Sequence, residues 1–377
     1  MIRMTLVTAL LVGATATAQP PDAAPEARTI CAALGTAGPS RPVAVAPSAG
    51  RAESDRLVTQ AAALMAEPSR RTVTAAIALL EQATAIDPGN AVAFARLSAA
   101  HGDSRRYADV PAPTAAARRW LAATQAFALD PDNVIVLANL AHSVVAKARD
   151  IDCAERILLR ARQIAPQDPE VNFGLSNVRG SKGDFKTAFA DLAVAIDHAD
   201  PAKRLALEYN SGRLHLMARD YRWVIDHYAA LIKANPDNRR NALAYFYRGL
   251  AYAAEGDFQQ ALAEVMRMPP GRDGDAGAIA NLARIQILAG ERVAGEANLQ
   301  LLLDRDARGE HVVSYQIAAV YEALGNRDEA FRWLARYTEE VDGLSSWLLW
   351  LPHDPRWDRV RGDPRYAAVL AKARPAD

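Results

Sequence analysis

The sequence predicts an all-α fold, a superhelical solenoid of about eight stacked helical hairpins closed by a C-terminal helical cap. Three observations carry this. Pro88, Pro131, Pro166, Pro201 and Pro236 each end a helix-like run, at intervals of 43, 35, 35 and 35 residues. A column of small residues, Ser98, Ala141, Ser176, Gly212, Gly249, Ala283 and Ala318, keeps the same pace, its last four steps being 36, 37, 34 and 35 residues. Within a repeat, a small residue is followed seven positions on by glycine and five further on by another small residue: Ser176, Gly183, Ala188; Gly249, Gly256, Ala261; Ala283, Gly290, Gly295; Ala318, Gly325, Ala330. Periods of this length mark helical hairpins that bury their faces only against neighbours. A chain of 377 residues is long for a single compact core, and a repeat array removes that limit.

The first 18 residues read as a secretory signal. Arg3 supplies the positive start, Thr5 to Gly13 is a short apolar stretch, and Ala16-Thr17-Ala18 is a small-residue cleavage site before Gln19. The apolar run is shorter than the ~20 residues that span a bilayer. The expected location is therefore outside the cytoplasm, in the periplasm. Residues 19–50 hold Pro20, Pro21, Pro25, Pro39, Pro42 and Pro47 among alanines and glycines, the composition of an arm or linker. The two cysteines, Cys31 and Cys153, can pair in an oxidising compartment and tie this arm to the array. Alternatively, Cys153 is a small packing residue beside Ala154 and Cys31 is free. Two cysteines alone form no zinc site.

From residue 51 to 344 the pattern is helical, with apolar residues three and four apart. In 242–268, Gly249 is small where a neighbouring helix crosses. Gly256 ends the first helix in a left-handed turn, Asp257 caps the second, and Ala261 is small at the next crossing. Tyr252 follows Gly249 and Tyr321 follows Ala318 by three residues, while Ala76, Leu80, Ala83 and Pro88, and Ala154, Leu158, Ala161 and Pro166, pattern the second helices. In these motifs the chain resembles the tetratricopeptide repeat (TPR) family, of an exported bacterial type. The resemblance covers most of 54–344, as repeats 54–90, 91–133, 134–168, 169–203, 204–238, 241–274, 275–308 and 311–344. It implies a right-handed superhelix with an inner groove lined by the first helix of each repeat.

Departures from the pattern are local. The second repeat is about nine residues long in excess near Tyr107 to Pro113, expected as an edge loop, and has Arg119 where a small residue belongs. The fifth has Arg219 in place of the turn glycine and Val224 in place of alanine, and the seventh has Gln286 for the aromatic.

Residues 345–377 repeat Asp-Pro-Arg-aromatic, at Asp354–Trp357 and Asp363–Tyr366. Each Asp-Pro suits an N-cap followed by proline in the first helical position. The segment is expected to cap the array, with Trp347, Trp350, Trp357 and Tyr366 covering the apolar end of the last repeat.

No catalytic constellation stands out: there is no Gly-x-Ser-x-Gly elbow, phosphate loop or dinucleotide glycine pattern, and the seven histidines are scattered. Asp304-x-Asp306-x-x-Gly309 begins like a calcium loop but has Arg308 and Tyr315 where ligands belong. The chain is read as no enzyme, with no cofactor and no metal. Lysine plus arginine equals aspartate plus glutamate, 44 each, so no net charge points to nucleic acid. Beyond the signal, no segment reads as membrane-spanning. By the family resemblance, the column two residues before the small one lines the groove: Arg96, Asn139, Gly174, Asn210, Tyr247, Asn281 and Gln316. Arg96, Asn139, Asn210, Tyr247, Asn281 and Gln316 are the candidate peptide-binding residues, since asparagine both donates to and accepts from an extended backbone.

The leading reading is a non-catalytic, exported scaffold that binds a protein or peptide in its concave groove. The alternatives are an accessory subunit of an envelope enzyme complex, or an enzyme with an unrecognised site. A third reading, a structural spacer, expects the groove to be filled by the chain's own N-terminal arm or by another copy.

Overall fold

The computed structural model describes residues 27–32, 50–108, 110–268, 276–310, 312–340 and 346–373. The signal segment, most of the 19–50 arm and His311 lie outside the described residues. The described residues are mostly helical, and none forms a strand. The chain divides into two compact units, Met1–Ile164 and Ala165–Asp377.

The first unit holds three hairpins: α1 (Arg51–Met65) with α2 (Arg70–Ile86), α3 (Ala91–Ala108) with α4 (Ala112–Leu129), and α5 (Val134–Ala148) with α6 (Ile151–Ile164). Their starts follow from local chemistry. Ser69 and Thr72 close a reciprocal capping box on α2, and Asn133 accepts from two amides of α5. The expected small columns pack the interior: Ala76, Leu80 and Ala83 of α2 and Ala154, Leu158 and Ala161 of α6 are buried. Polar threads tie successive hairpins. Ser54 donates to the Ala83 carbonyl at 2.9 Å, Asn90 donates to Ser54 at 2.8 Å, and the Ser98 and Ser143 hydroxyls meet at 3.2 Å.

Two departures have physical causes here. Much of the excess of the second repeat goes into its helices: α3 runs to Ala108 and α4 starts at Ala112, so among the described residues the expected edge loop is mostly a longer hairpin. Arg119 is accommodated because Gly102 has no side chain; a methyl at Gly102 would sit 2.6 Å from its guanidinium. Residues 27–32 form a helical turn with Ala27 buried, and Cys31 and Cys153 are joined as a disulfide, with Cα atoms 5.7 Å apart.

The second unit continues with α7 (Pro169–Ser181), α8 (Phe185–Asp197), α9 (Pro201–Asn210), α10 (Gly212–Met217), α11 (Tyr221–Ala234), α12 (Asn241–Glu255), α13 (Phe258–Met266), α14 (Ala276–Leu288), α15 (Arg292–Ala307), α16 (Ser314–Ala323), α17 (Arg327–Tyr337) and α18 (Pro364–Ala373). Helices α7, α12, α14 and α16, with the pair α9–α10, are the first helices of their hairpins. Asp304 and Asp306, which begin like a calcium loop in the sequence, lie within α15. The turn glycines Gly183, Gly256, Gly290 and Gly325 all have positive φ, between 78° and 93°. Asp257 accepts from the Gln260 amide at 3.0 Å, the cap the sequence predicts. The turn prolines are tied to the following helix: Asn172 donates to the Pro166 carbonyl and Asn241 to that of Pro236.

The fifth repeat is broken between α9 and α10. The Tyr228 hydroxyl enters the gap, accepting from the Gly212 amide at 2.9 Å and donating to the Tyr209 carbonyl at 2.7 Å. A side chain inserted into the ladder of a helix breaks it, and only glycine leaves the room. A Cβ at position 212 would lie 2.2 Å from that hydroxyl.

Candidate functional site

The feature that organises the second unit is its C-terminal segment. It was expected to cap the last repeat. Its end does so: α18 lies by α17, with Arg365 reaching Asp328 at 2.6 Å. The preceding residues do not. Residues 346–361 form two short 3-10 turns that touch the first helices of four repeats, at α7, α10, α12 and α16. Trp350 packs where Gly180 of α7 has no side chain, and a methyl there would sit 2.7 Å from its ring. Trp347 stacks on Tyr315 of α16 at 5.9 Å and lies 6.5 Å from Tyr247 of α12. Arg213 of α10 places its guanidinium 4.9 Å over the Trp347 ring. Glu322 of α16 accepts from Arg359 at 2.9 and 3.0 Å.

Asp354 and Arg356 form the centre of this contact. Both are buried, and their side chains meet at 2.6 Å. Asp354 caps the second turn by accepting from the Arg356 amide at 3.0 Å, as its Asp-Pro sequence predicts, and accepts from the Tyr315 hydroxyl at 2.7 Å. The same hydroxyl accepts from the Trp357 indole N–H at 2.7 Å. Arg356 donates to Gln316 at 2.7 Å and stacks 4.3 Å over Trp347. Burial pushes the Asp354 carboxyl up, but the adjacent Arg356 charge and the donors around it outweigh burial and hold it below the usual carboxylate range. Burial, and then the Asp354 charge, push the Tyr315 phenol well up, which keeps it a donor.

Arg219 explains its own departure. It adopts the left-handed turn conformation of the missing glycine, at φ 66°, and its guanidinium grips Asp358 of the segment at 2.7 and 2.8 Å. At the far end, His353 meets the Ser181 carbonyl at 3.2 Å and packs edge-on against Phe185.

The six expected ladder residues are therefore not equivalent. In the first unit, Arg96 is exposed on α3, and Asn139 is half-buried on α5, donating to its own helix at Ile135. In the second unit, Asn210 is exposed at the end of α9 and donates to Ala206. Tyr247 and Gln316 are buried and hold the chain's own segment, so they do not line an open groove. Asn281 is buried on α14 with neither side-chain atom hydrogen-bonded. The spacer reading expected the groove to be filled by the N-terminal arm or by another copy; in the second unit the C-terminal segment lies there. The sequence signals for this were present: an arginine in place of a turn glycine, Tyr315 in a failed calcium loop, and a tail with three tryptophans.

Among the described residues, no group of three histidine, cysteine, aspartate or glutamate side chains is placed to hold a metal ion, and no helix is long and apolar enough to cross a membrane.

No protein-family model matches the sequence, and comparison with curated proteins finds no match. Solved structures do match in fold. The human IFIT1 dimer with m7Gppp-AAAA superposes with a TM-score of 0.54 at 15% identity, over 83% of this chain and 75% of that one. The anaphase-promoting-complex hetero-tetramer Cut9–Hcn1 gives 0.52 at 14% identity, over 92% of this chain and 59% of that one. A tetratricopeptide repeat protein from Parabacteroides merdae ATCC 43184 gives 0.48 at 15% identity, over 74% of this chain and 99% of that one.

Proposed function

The chain is a tetratricopeptide-repeat protein in its fold, and from that premise we propose that it works as a non-catalytic scaffold binding a protein or peptide partner. The observation that carries this is the occupied groove of the second unit. The first helices of its repeats already hold a polypeptide, residues 346–361, by aromatic stacking, a buried ion pair and a bidentate arginine clamp. The surface chemistry of this array is that of peptide recognition.

The second unit's own groove is not the partner's site. Leu348, Leu349, Trp350, Leu351 and Trp357 of the segment are at most 1% exposed. Burial of each such side chain contributes ~1.5–3 kcal/mol, so displacing all five costs on the order of 10 kcal/mol, against about 8 kcal/mol for a micromolar ligand. The partner surface is then the inner side of the first unit, along α1, α3 and α5. There Arg96 is exposed and Asn139 is flanked by half-buried Ile135 and His142. No counterpart of the C-terminal segment lies on these helices among the described residues of that unit.

Export to the periplasm belongs to the same proposal. The N-terminal signal pattern and the Cys31–Cys153 disulfide both suit an oxidising compartment. Fractionation with N-terminal sequencing tests it, and a mature start at Gln19 is expected. Partner binding is tested by crosslinking capture from the cell envelope, wild type beside Arg96→Ala/Asn139→Ala. A partner lost only in the variant supports the first-unit surface. A partner retained by it but lost in Asn210→Ala moves the site to the second unit.

A further inference from the structure

The second unit contains a cleft of about 340 Å3, walled by α12, α13, α14, α16 and the 355–359 turn. This is the small end of the ~300–1,000 Å3 typical of small-molecule sites. Its lining is apolar at Leu250, Phe258 and Leu288 and basic at Arg284, Arg356 and Arg359.

These arginines differ in what holds them. Arg356 is paired with Asp354, and Arg359 with Glu322. The cleft's Asp358 is taken by Arg219 and Arg361. Glu255 stands exposed at the rim. Arg284, one turn beyond Asn281 on α14, is 8% exposed and makes no hydrogen bond or ion pair; its Nε is buried and unmatched. Burial, and then the neighbouring Arg356 charge, push Arg284 down to about 10, outweighing the pull of Glu322 and Asp354, whose carboxylates are hydrogen-bonded to Arg359 and Arg356. A buried charge without a partner is costly, and a cleft beside it is where a ligand supplies one.

We propose that this cleft binds a small monocarboxylate carried on an apolar body, with Arg284 as its counter-ion. The planar guanidinium fork matches a carboxylate in two hydrogen bonds. Glu322, Asp358 and Glu255 around the cleft disfavour more highly charged anions, and Leu250, Phe258 and Leu288 cover the apolar part. The site is independent of the scaffold reading, because it needs no protein partner.

The test is calorimetric titration of the isolated, disulfide-intact chain with octanoate, octylamine and inorganic phosphate, on wild type, Arg284→Met and Arg284→Lys. Octanoate is expected to bind wild type at least about tenfold more tightly than either control, the size expected of a charge-assisted hydrogen bond. Arg284→Met is expected to lose that preference and Arg284→Lys to keep part of it. Arg284→Met, freed of the unmatched charge, should melt no lower than wild type; if it does not fold, Arg284→Lys carries the comparison. Equal binding of octylamine would mean apolar adsorption only. Equal binding of phosphate would mean a site that reads charge alone. Octanoate binding unchanged in both variants would place the ligand elsewhere. Each of these three results overturns the proposal.

Discussion

Removing the Asp354 carboxylate should release the C-terminal segment from the second unit before the repeats themselves unfold. In Asp354→Ala, Arg356 remains 4% exposed and loses its partner at 2.6 Å, while the Tyr315 hydroxyl loses its acceptor. Breaking a buried pair from one side costs ~3–5 kcal/mol, and loss of the N-cap adds about 1 kcal/mol. Arg356→Met, which leaves the aspartate unpaired, should cost a similar amount. The double variant Asp354→Ala/Arg356→Met removes both charges and should cost clearly less than the sum of the singles. The assay is urea unfolding followed by two probes: tryptophan fluorescence in a Trp120→Phe/Trp223→Phe/Trp333→Phe background, which leaves Trp347, Trp350 and Trp357 of the segment as reporters, and far-ultraviolet dichroism, which reports the helices. Repeat arrays unfold piecewise, so the two midpoints are read separately. The fluorescence midpoint should fall first in the single variants. A single-variant cost below about 1 kcal/mol, or a double-variant cost equal to the sum, would refute a buried pair as the lock.

Other perturbations test other parts of the structure. His215 is stacked on Trp223 at 3.3 Å, and burial pushes its imidazole down to about 4 although Asp220 pulls it up. Its folded value is depressed, so the unfolded chain binds the proton first; stability is fully present above pH ~6.5 and falls by about 3 kcal/mol as pH drops towards 4. Urea midpoints at pH 7.5 and 4.5 should converge in His215→Phe relative to wild type. Asp354 acts in the same direction at lower pH: its depressed value gives stability above pH ~4 that is lost only as pH falls further, so Asp354→Asn should flatten the profile there. Reducing the Cys31–Cys153 bond opens a loop with a sequence separation of 122 residues, and chain entropy sets the loss at up to about 5 kcal/mol; melting with and without reductant measures it. Gly212→Ala drives a methyl into the Tyr228 hydroxyl and should cost ~1–3 kcal/mol or more by urea titration, whereas Gly256→Ala, with open space around it, should cost only the ~1 kcal/mol of its left-handed turn.

Much of the repeat architecture is legible in the sequence because each hairpin answers to its neighbours. A glycine seven residues past a small residue needs only local chemistry to become a left-handed turn, and Gly183, Gly256, Gly290 and Gly325 all do. The departures are legible only in pairs. Arg119 looks out of place until Gly102 is seen to make room for it, and Arg219 lacks a reason to replace glycine until Asp358 reaches it from 139 residues away. The candidate ladder illustrates the limit. Spacing placed Tyr247 and Gln316 in the inner column, but not beneath Trp347 and Arg356.

The sequence by itself determined the helices, their pairing into hairpins, the repeat period and the caps, since these depend on contacts between residues at most a few tens apart. Only the tertiary structure decided that the C-terminal segment lies along the groove instead of merely closing its end, that Cys31 meets Cys153, and that the Arg284 guanidinium is buried with its Nε unmatched. Those outcomes depend on the complementarity of surfaces far apart in the chain, where no local spacing records which aromatic, acid or cavity will be opposite.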